Sequence, residues 1–343
     1  MSHNELLDLY GSLIESDLSD LFASYKETAN KYHPYIGQVY EILEKFVLRG
    51  GKRLAACSTL GIYKGYQRAI DKKILRVCSG IELYRHAILI HDDIVDREMF
   101  RRGGETLHRV LGSIDEQIGI GSAIFAGNIL YSMSLHAVYN SGFDVNKTNE
   151  LAELLTSEYK DVNESQILDL LFEYKEPNVS EWEIMASKRA ATLFRAAILA
   201  GAILGKATDK DKAILKRAAK HIGLAFDIQD DIIDTFATKA QYGRDPCGDI
   251  AKGKKPLHIA MALTRDATLA SLTQNRRDLA QEEIMFVQDI IRNCGALDEA
   301  KAISRSHARE AKQLISETQM DDEDKAFFIS FIEYVEESLE WYK

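Results

Sequence analysis

Apolar residues along this chain recur at three- and four-residue spacing over long stretches, which is the period of a single buried face on an α-helix. Proline interrupts the pattern only at Pro34, Pro177, Pro246 and Pro256. The spacing predicts helices over 4–24, 35–48, 53–67, 71–99, 115–140, 148–173, 181–205, 209–238, 256–268, 276–294, 298–317 and 321–341. Ser180 followed by Glu183 reads as a capping-box start for the seventh of these. The expected fold class is all-α. No composition shift, Ser/Gly linker or short-period repeat divides the chain, so a single domain over 1–343 is expected.

Two acidic clusters interrupt the apolar pattern, Asp92-Asp93-Ile94-Val95-Asp96 and Asp230-Asp231-Ile232-Ile233-Asp234. Each places carboxylates at positions one, two and five. On a helix the first and last then lie one turn apart on one face, with the second about 100° round. Like charges at that spacing repel, and Asp is a weak helix former, so the arrangement destabilises a helix unless a cation offsets it. An isolated acidic patch is commonly a solvated face. Here Ala87, Ile88, Leu89 and Ile90 lead into the first cluster and Leu224, Ala225, Phe226 and Ile228 surround the second, so both lie on segments expected to be buried. A calcium loop of the EF-hand type places its ligands in a glycine-turned loop ending in Glu, which neither cluster does. Magnesium shared with a phosphate ligand fits the pattern, because it takes a few carboxylates and leaves positions for water and phosphate oxygens.

Composition sets limits on this reading. The chain has 343 residues, of which 46% are hydrophobic and 28% charged, enough for a sizeable core. A net charge of -10 argues against a general nucleic-acid binder and requires any polyphosphate site to be made locally, by metal or by clustered Arg and Lys. Cys57, Cys78, Cys247 and Cys294 form no Cys-x-x-Cys or His/Cys zinc spacing and read as buried free thiols. No charged-then-apolar leader opens the chain, and Ala196–Gly205 is too short an apolar stretch to span a bilayer, so a cytoplasmic, non-spanning protein is expected.

Positive charge gathers beside glycines and behind the acidic clusters. Gly50-Gly51 precede Lys52 and Arg53, Arg101 and Arg102 precede Gly103-Gly104, and Arg244 and Lys254 follow Asp234. Guanidinium groups grip phosphate oxygens bidentately, and glycines let the backbone approach closely. Any one of these residues is unremarkable as a surface charge. Together with two acidic clusters they describe a site for one or two diphosphates.

With these motifs the chain resembles the trans-isoprenyl (polyprenyl) diphosphate synthase family, in order from about Gly50 to Leu263. The match comprises Gly50-Gly51-Lys52-Arg53-Leu54, the first aspartate motif with Arg101-Arg102-Gly103, Gln166-x-x-Asp169, Lys188-Arg189, the second aspartate motif after Phe226, and Asp249 with Gly253-Lys254. The resemblance implies an all-helical bundle around a deep central cavity, usually homodimeric. It implies a prenyltransferase that condenses isopentenyl diphosphate with an allylic diphosphate. Asp92, Asp93, Asp96, Asp230, Asp231 and Asp234 would hold magnesium against the allylic diphosphate. Arg101, Arg189, Arg244 and Lys254 would neutralise the leaving group, and Gln166 would form a polar wall of the cation site. Lys52, Arg53, Arg85 and Arg102 would serve the isopentenyl diphosphate.

Some positions depart from the family pattern. Ala55-Ala56 stand where Arg-Pro is usual, which removes an expected ligand, and Arg85 stands where His is common. Arg189-Ala190 replace a Lys-Thr pair, Asp227 replaces Gln, and Arg244 replaces Lys. Product length is expected to follow side chains one turn apart before the first Asp, since a helical turn rises about 5.4 Å, close to one isoprene unit. Ala87 and Ile88 are modest in size and Tyr84 is the first large residue. Products of twenty or twenty-five carbons are therefore expected, unless Tyr84 faces helix packing instead of the tail. Two other functions are weighed: a terpene cyclase of the same architecture, against which the second aspartate trio argues, and a non-catalytic partner subunit, which would be expected to lose aspartates.

Overall fold

The computed structural model describes residues 3–238, 240, 246–273 and 279–338. Among the described residues the regular structure is helical, as the periodicity predicts, apart from one very short hairpin. Its contacts divide it into two compact units, Met1–Leu155 with Ala196–Thr208, and Thr156–Arg195 with Asp209–Lys343.

In the first unit α1 (His3–Tyr32), α2 (Pro34–Leu48), α3 (Leu54–Gln67) and α4 (Lys72–Val95) precede a short α5 (Leu107–Leu111) and the long α6 (Glu116–Tyr139). Side chains set the helix starts. Asp71 accepts a hydrogen bond from Ile74 N at 3.0 Å, Asp115 accepts from Gln117 N and Ile118 N, and Pro34 opens α2 where its missing N–H is not needed. The principal packing is α4 against α6, where Gly80 lies so close to Ser134 O that an added Cβ would sit 3.0 Å from it. Ile81, Leu83, Ala87 and Ile90 of α4 and Ala123, Ala126, Leu130 and Met133 of α6 are among the buried residues of these two helices.

The helix expected over 71–99 ends early, at Val95. Asp96 caps it, Arg97 turns into left-handed backbone (φ 56°), and Phe100–Arg101 (β1) pairs antiparallel with Gly104–Glu105 (β2). Both residues of the connecting loop have positive φ, Arg102 at 51° and Gly103 at 74°, which is the geometry that suits a two-residue hairpin. That reversal brings Arg101 back toward the helix it follows.

Among the described residues α6 is the one helix long and apolar enough to cross a bilayer by length and composition. One side of α6 packs inside the first unit, while Ile118, Ile124, Phe125 and Tyr139 are exposed. Phe125, Asn128, Ile129, Ser132, Met133 and His136 line an open groove of about 630 Å³ with Tyr25 and Tyr40.

The second unit contains much of α7 (Val145–Tyr174), α8 (Val179–Ala186), the start of α9 (Arg189–Leu204) and α10 (Asp209–Phe236). Shorter segments follow, then helices at Gln281–Asn293, Ala296–Ser316 and Asp322–Ser338. The helix expected over 181–205 is broken at Ser187 and Lys188 into α8 and α9. The capping box is also two residues earlier than expected. Asn178, directly after Pro177, accepts from Glu181 N at 2.9 Å, and Glu181 accepts from Asn178 N at 3.0 Å, which leaves Ser180 within the first turn. The helix expected over 256–268 stops at Leu263, where Asp266 starts a 3₁₀ turn. The core here joins Phe172, Trp182, Met185, Ile228, Ile232 and Leu257 to Val287, Ile291 and Leu297.

Candidate active site

The first acidic motif occupies the last turns of α4. Asp93 and Asp96 are buried and Asp92 is half-buried. Arg101, returned by the hairpin, donates from Nε to Asp93 Oδ1 at 2.6 Å and from a terminal nitrogen to Asp92 Oδ2 at 3.4 Å. Asp93 Oδ2 is buried and finds no hydrogen-bond partner among the described residues. Burial pushes the Asp93 carboxyl up to about 7 despite the pull of Arg101. A buried, under-satisfied acceptor beside two further carboxylates suits a hard divalent cation. Magnesium therefore fits this donor set.

The basic residues near Gly50 do not all gather. Arg102 donates to Gly50 O at 2.8 Å and fills the space beside Gly51, where an added Cβ would lie 2.9 Å from its guanidinium carbon. His86 donates from Nδ1 to Glu82 O at 2.7 Å, which leaves Nε2 to accept from Arg102 at 3.4 Å. Burial, then the charges of Arg85 and Arg102, push His86 well below its ordinary range and keep it neutral. Burial and neighbouring Arg85 bring Arg102 down to about 10, a sign of positive charge held close together. Lys52 is exposed and Arg85 half-buried. Arg53 is placed elsewhere, in the interior. Its guanidinium donates to Glu15 at 2.9 Å, to Val47 O at 3.0 Å and to Glu82 at 3.3 Å. Glu82, to which the sequence reading gives no role, is fully buried and also meets Ala56 N at 3.4 Å.

Tyr84 and Ala87 are fully buried and Ile88 half-buried on α4. The Tyr84 ring lies 6.3 Å from that of Tyr131 on α6, so it has an aromatic neighbour in helix packing.

The second acidic motif occupies α10. Asp231 and Asp234 are buried, and Asp230 is exposed. Asp249 N donates to Asp234 Oδ2 at 2.9 Å, and Gly248 approaches Asp234 Oδ1 so closely that an added Cβ would lie 3.1 Å away. Burial, followed by the charge of Asp249, pushes Asp234 up to about 8. Burial likewise holds Asp231 well above the usual carboxylate range, although Arg189 opposes it. Arg189 opens α9 and is surrounded by carboxylates. It forks onto Asp227 from Nε at 3.1 Å and from a terminal nitrogen at 2.8 Å, reaches Asp231 Oδ2 at 3.1 Å, and meets Asp169 of α7 at 3.2 Å. Lys254 lies 3.3 Å from the other Asp169 oxygen. Lys188 instead bonds Asp161 and Glu164, at 2.9 and 2.6 Å. Gln166 is half-buried on α7, and Arg244 lies outside the described residues.

Among the described residues no three His, Cys, Asp or Glu side chains come together as a group that could hold a metal ion. Asp227 stands where the family pattern has Gln, and its partner is Arg189, brought to it by the approach of α9 to α10.

These features define an all-α protein with two aspartate trios, each with two buried members and each beside arginine or lysine. The polyprenyl synthetase family model matches residues 37–291, and the chain belongs to that family. Short chain isoprenyl diphosphate synthase of Methanocaldococcus jannaschii is 32% identical over 226 residues, 66% of each chain. Geranylgeranyl diphosphate synthase of Methanosarcina mazei is 27% identical over 299 residues, 87% of this chain and 89% of that one. The crystal structure of geranylgeranyl pyrophosphate synthetase from Pyrococcus horikoshii superposes with a TM-score of 0.84 at 25% identity, covering 97% of this chain and 98% of that one. The chain is accordingly a transferase of the prenyltransferase class, and neither the cyclase nor the non-catalytic subunit is favoured by relatives named as synthases.

Proposed function

We propose that the chain condenses isopentenyl diphosphate with an allylic diphosphate and releases a linear prenyl diphosphate of twenty or twenty-five carbons. The observation that carries this reading is the pair of aspartate trios, in which Asp93 and Asp96 of the first and Asp231 and Asp234 of the second are buried, and Asp93 Oδ2 finds no hydrogen-bond partner among the described residues. Negative charge placed in so dry a setting calls for divalent cations. Asp92, Asp93 and Asp96, with Asp230, Asp231 and Asp234, would hold magnesium. When bound, it supplies a Lewis acid that stabilises the departing diphosphate.

The chain's own residues do the remainder. Arg101, Lys254, Arg189 and Arg244 neutralise the leaving group, and Gln166 offers a polar wall to the allylic cation. Lys52, Arg85 and Arg102 hold the isopentenyl diphosphate. Arg85 supplies the charge missing at Ala55, while Arg53 supports the cluster from inside through Glu82. Apolar walls exclude water from the cation until the isopentenyl double bond attacks. The lost proton leaves with the diphosphate. A cytoplasmic homodimer and a single synthase domain accompany this reading, and the exposed apolar side of α6 with its groove is the surface a second copy would cover.

The test is to supply isopentenyl diphosphate and magnesium with ten-, fifteen- and twenty-carbon allylic primers and resolve the products by length. Twenty- or twenty-five-carbon diphosphates are expected. No consumption of isopentenyl diphosphate with any primer would overturn the reading.

A further inference from the structure

The feature left without a role is the carboxylate of Asp227. Asp169, Asp227 and Asp231 surround the Arg189 guanidinium, and Lys254 lies at the outer oxygen of Asp169. Three carboxylates against two cations leave this group one charge negative. Asp227 is the only one of the three that takes Arg189 as a fork, through Nε and one terminal nitrogen, at 2.8 to 3.2 Å. Asp231 receives a single contact, at Oδ2. A fork fixes the plane of a guanidinium, whereas single contacts leave it free to turn.

We infer that Asp227 is a positioning residue that anchors Arg189 away from Asp231, so that Asp231 keeps the charge it needs for magnesium. The inference rests on Asp231 being a metal ligand, as proposed above. Replacing Asp227 with a neutral side chain has two effects in the same direction. The group becomes neutral overall, and the released guanidinium can turn its fork onto Asp231, where it competes with the metal. A single unit charge about 5 Å away, in surroundings of effective dielectric constant about 20, changes cation affinity by roughly tenfold or more after partial screening. The local backbone favours such an anchor. Gly223, one turn before Asp227 on α10, lies against Ala190 and Ala191, and this contact brings the start of α9 within reach.

The experiment measures Mn(II) binding to the full-length protein by electron paramagnetic resonance, with and without inorganic diphosphate, and in parallel the magnesium concentration for half-maximal activity. Asp227→Asn should weaken Mn(II) binding about tenfold and raise half-saturating magnesium to match, while kcat at saturating magnesium falls much less. Asp227→Glu, which keeps the charge, should retain most of the binding. The paired variant Arg189→Lys with Asp227→Gln removes the competing fork and the anchor together, so it should bind Mn(II) better than Asp227→Asn alone. This paired variant also keeps the test open if Asp227→Asn folds poorly. Wild-type Mn(II) affinity in Asp227→Asn, in a protein where Asp231→Asn abolishes one class of site, overturns the inference alone. Unaltered Mn(II) binding in Asp231→Asn overturns the metal reading of the second trio, and the inference falls with it.

Discussion

The Glu82 carboxylate offers the sharpest test of how the first unit is held together. Its partner Arg53 is 1% exposed at the side chain and Glu82 is 0% exposed, so neither can exchange the ion pair for water. One terminal nitrogen of Arg53 is already buried without a hydrogen-bond partner among the described residues. Glu82→Gln keeps the shape and removes the charge, leaving the guanidinium, among the described residues, Val47 O and one carboxylate, Glu15, whose side chain is 44% exposed. Breaking a buried pair on one side costs about 3–5 kcal/mol, and the surviving Glu15 contact places the expected loss near the lower end, at about 3 kcal/mol. For a cooperative unit of this size that is roughly 6–12 °C in melting temperature. Differential scanning calorimetry on the purified variant reads it directly. The double variant Arg53→Met with Glu82→Met should recover to within about 1–2 kcal/mol of the parent, since apolar replacement of both partners leaves no buried charge. It should also keep its KM for isopentenyl diphosphate within about threefold. A melting temperature unchanged to within about 2 °C in Glu82→Gln refutes the reasoning, and a tenfold rise in KM in the double variant returns Arg53 to direct ligand binding.

Three further outcomes follow from the geometry. Tyr84→Ala should lengthen the product by one or more five-carbon units in a labelled isopentenyl diphosphate assay, and an unchanged length would mean that Tyr84 serves only its packing against Tyr131. His258 is fully buried, bonded to Thr235 at 2.8 Å, and pushed down to about 3 by burial. Its neutral form is favoured in the folded protein, so the stability it contributes is complete above the ordinary histidine value of about 6.5 and declines as pH falls from there toward 3, by about 2–3 kcal/mol at pH ~4.5. Urea midpoints at the two pH values should show a smaller decline in His258→Gln than in the parent, and equal declines would contradict the assignment. Phe125, 70% exposed on α6, should on change to Asp convert a dimer to a monomer in light scattering, and an undiminished mass would place any interface elsewhere.

Most helices were legible because a 3.6-residue apolar period survives wherever one face is buried, as on α4 and α10. The breaks were less legible. Ser187 and Lys188 are compatible with helix, and nothing local separates α8 from α9. The hairpin after Val95 depends on left-handed backbone at Arg97 and Arg102, which arginine seldom adopts and which sequence therefore does not announce. Within the site, the aspartates and Arg101 could be read from spacing alone, because contact between neighbours along a helix or across a tight turn is a local property. The inward turn of Arg53 could not, since its partners Glu15 and Glu82 come from distant helices. Asp227 stood out as the wrong residue for its place, but its meaning depends on where a second helix crosses.

That crossing is set by Gly223. A Cβ there would lie 2.6 Å from Ala191 Cα and 2.8 Å from Ala191 N, contacts that only a shift of the whole of α9 or α10 could relieve. Arg189 reaches its three carboxylates because the two helices meet this closely. The residue at 223 thus acts as a ruler: it carries no functional group, yet it fixes how far a cation stands from the acidic residues one and two turns away. On the proposed role of the second trio, a change in ion preference can arise through the gain of a single methyl group, at a position that no inventory of charged side chains would include.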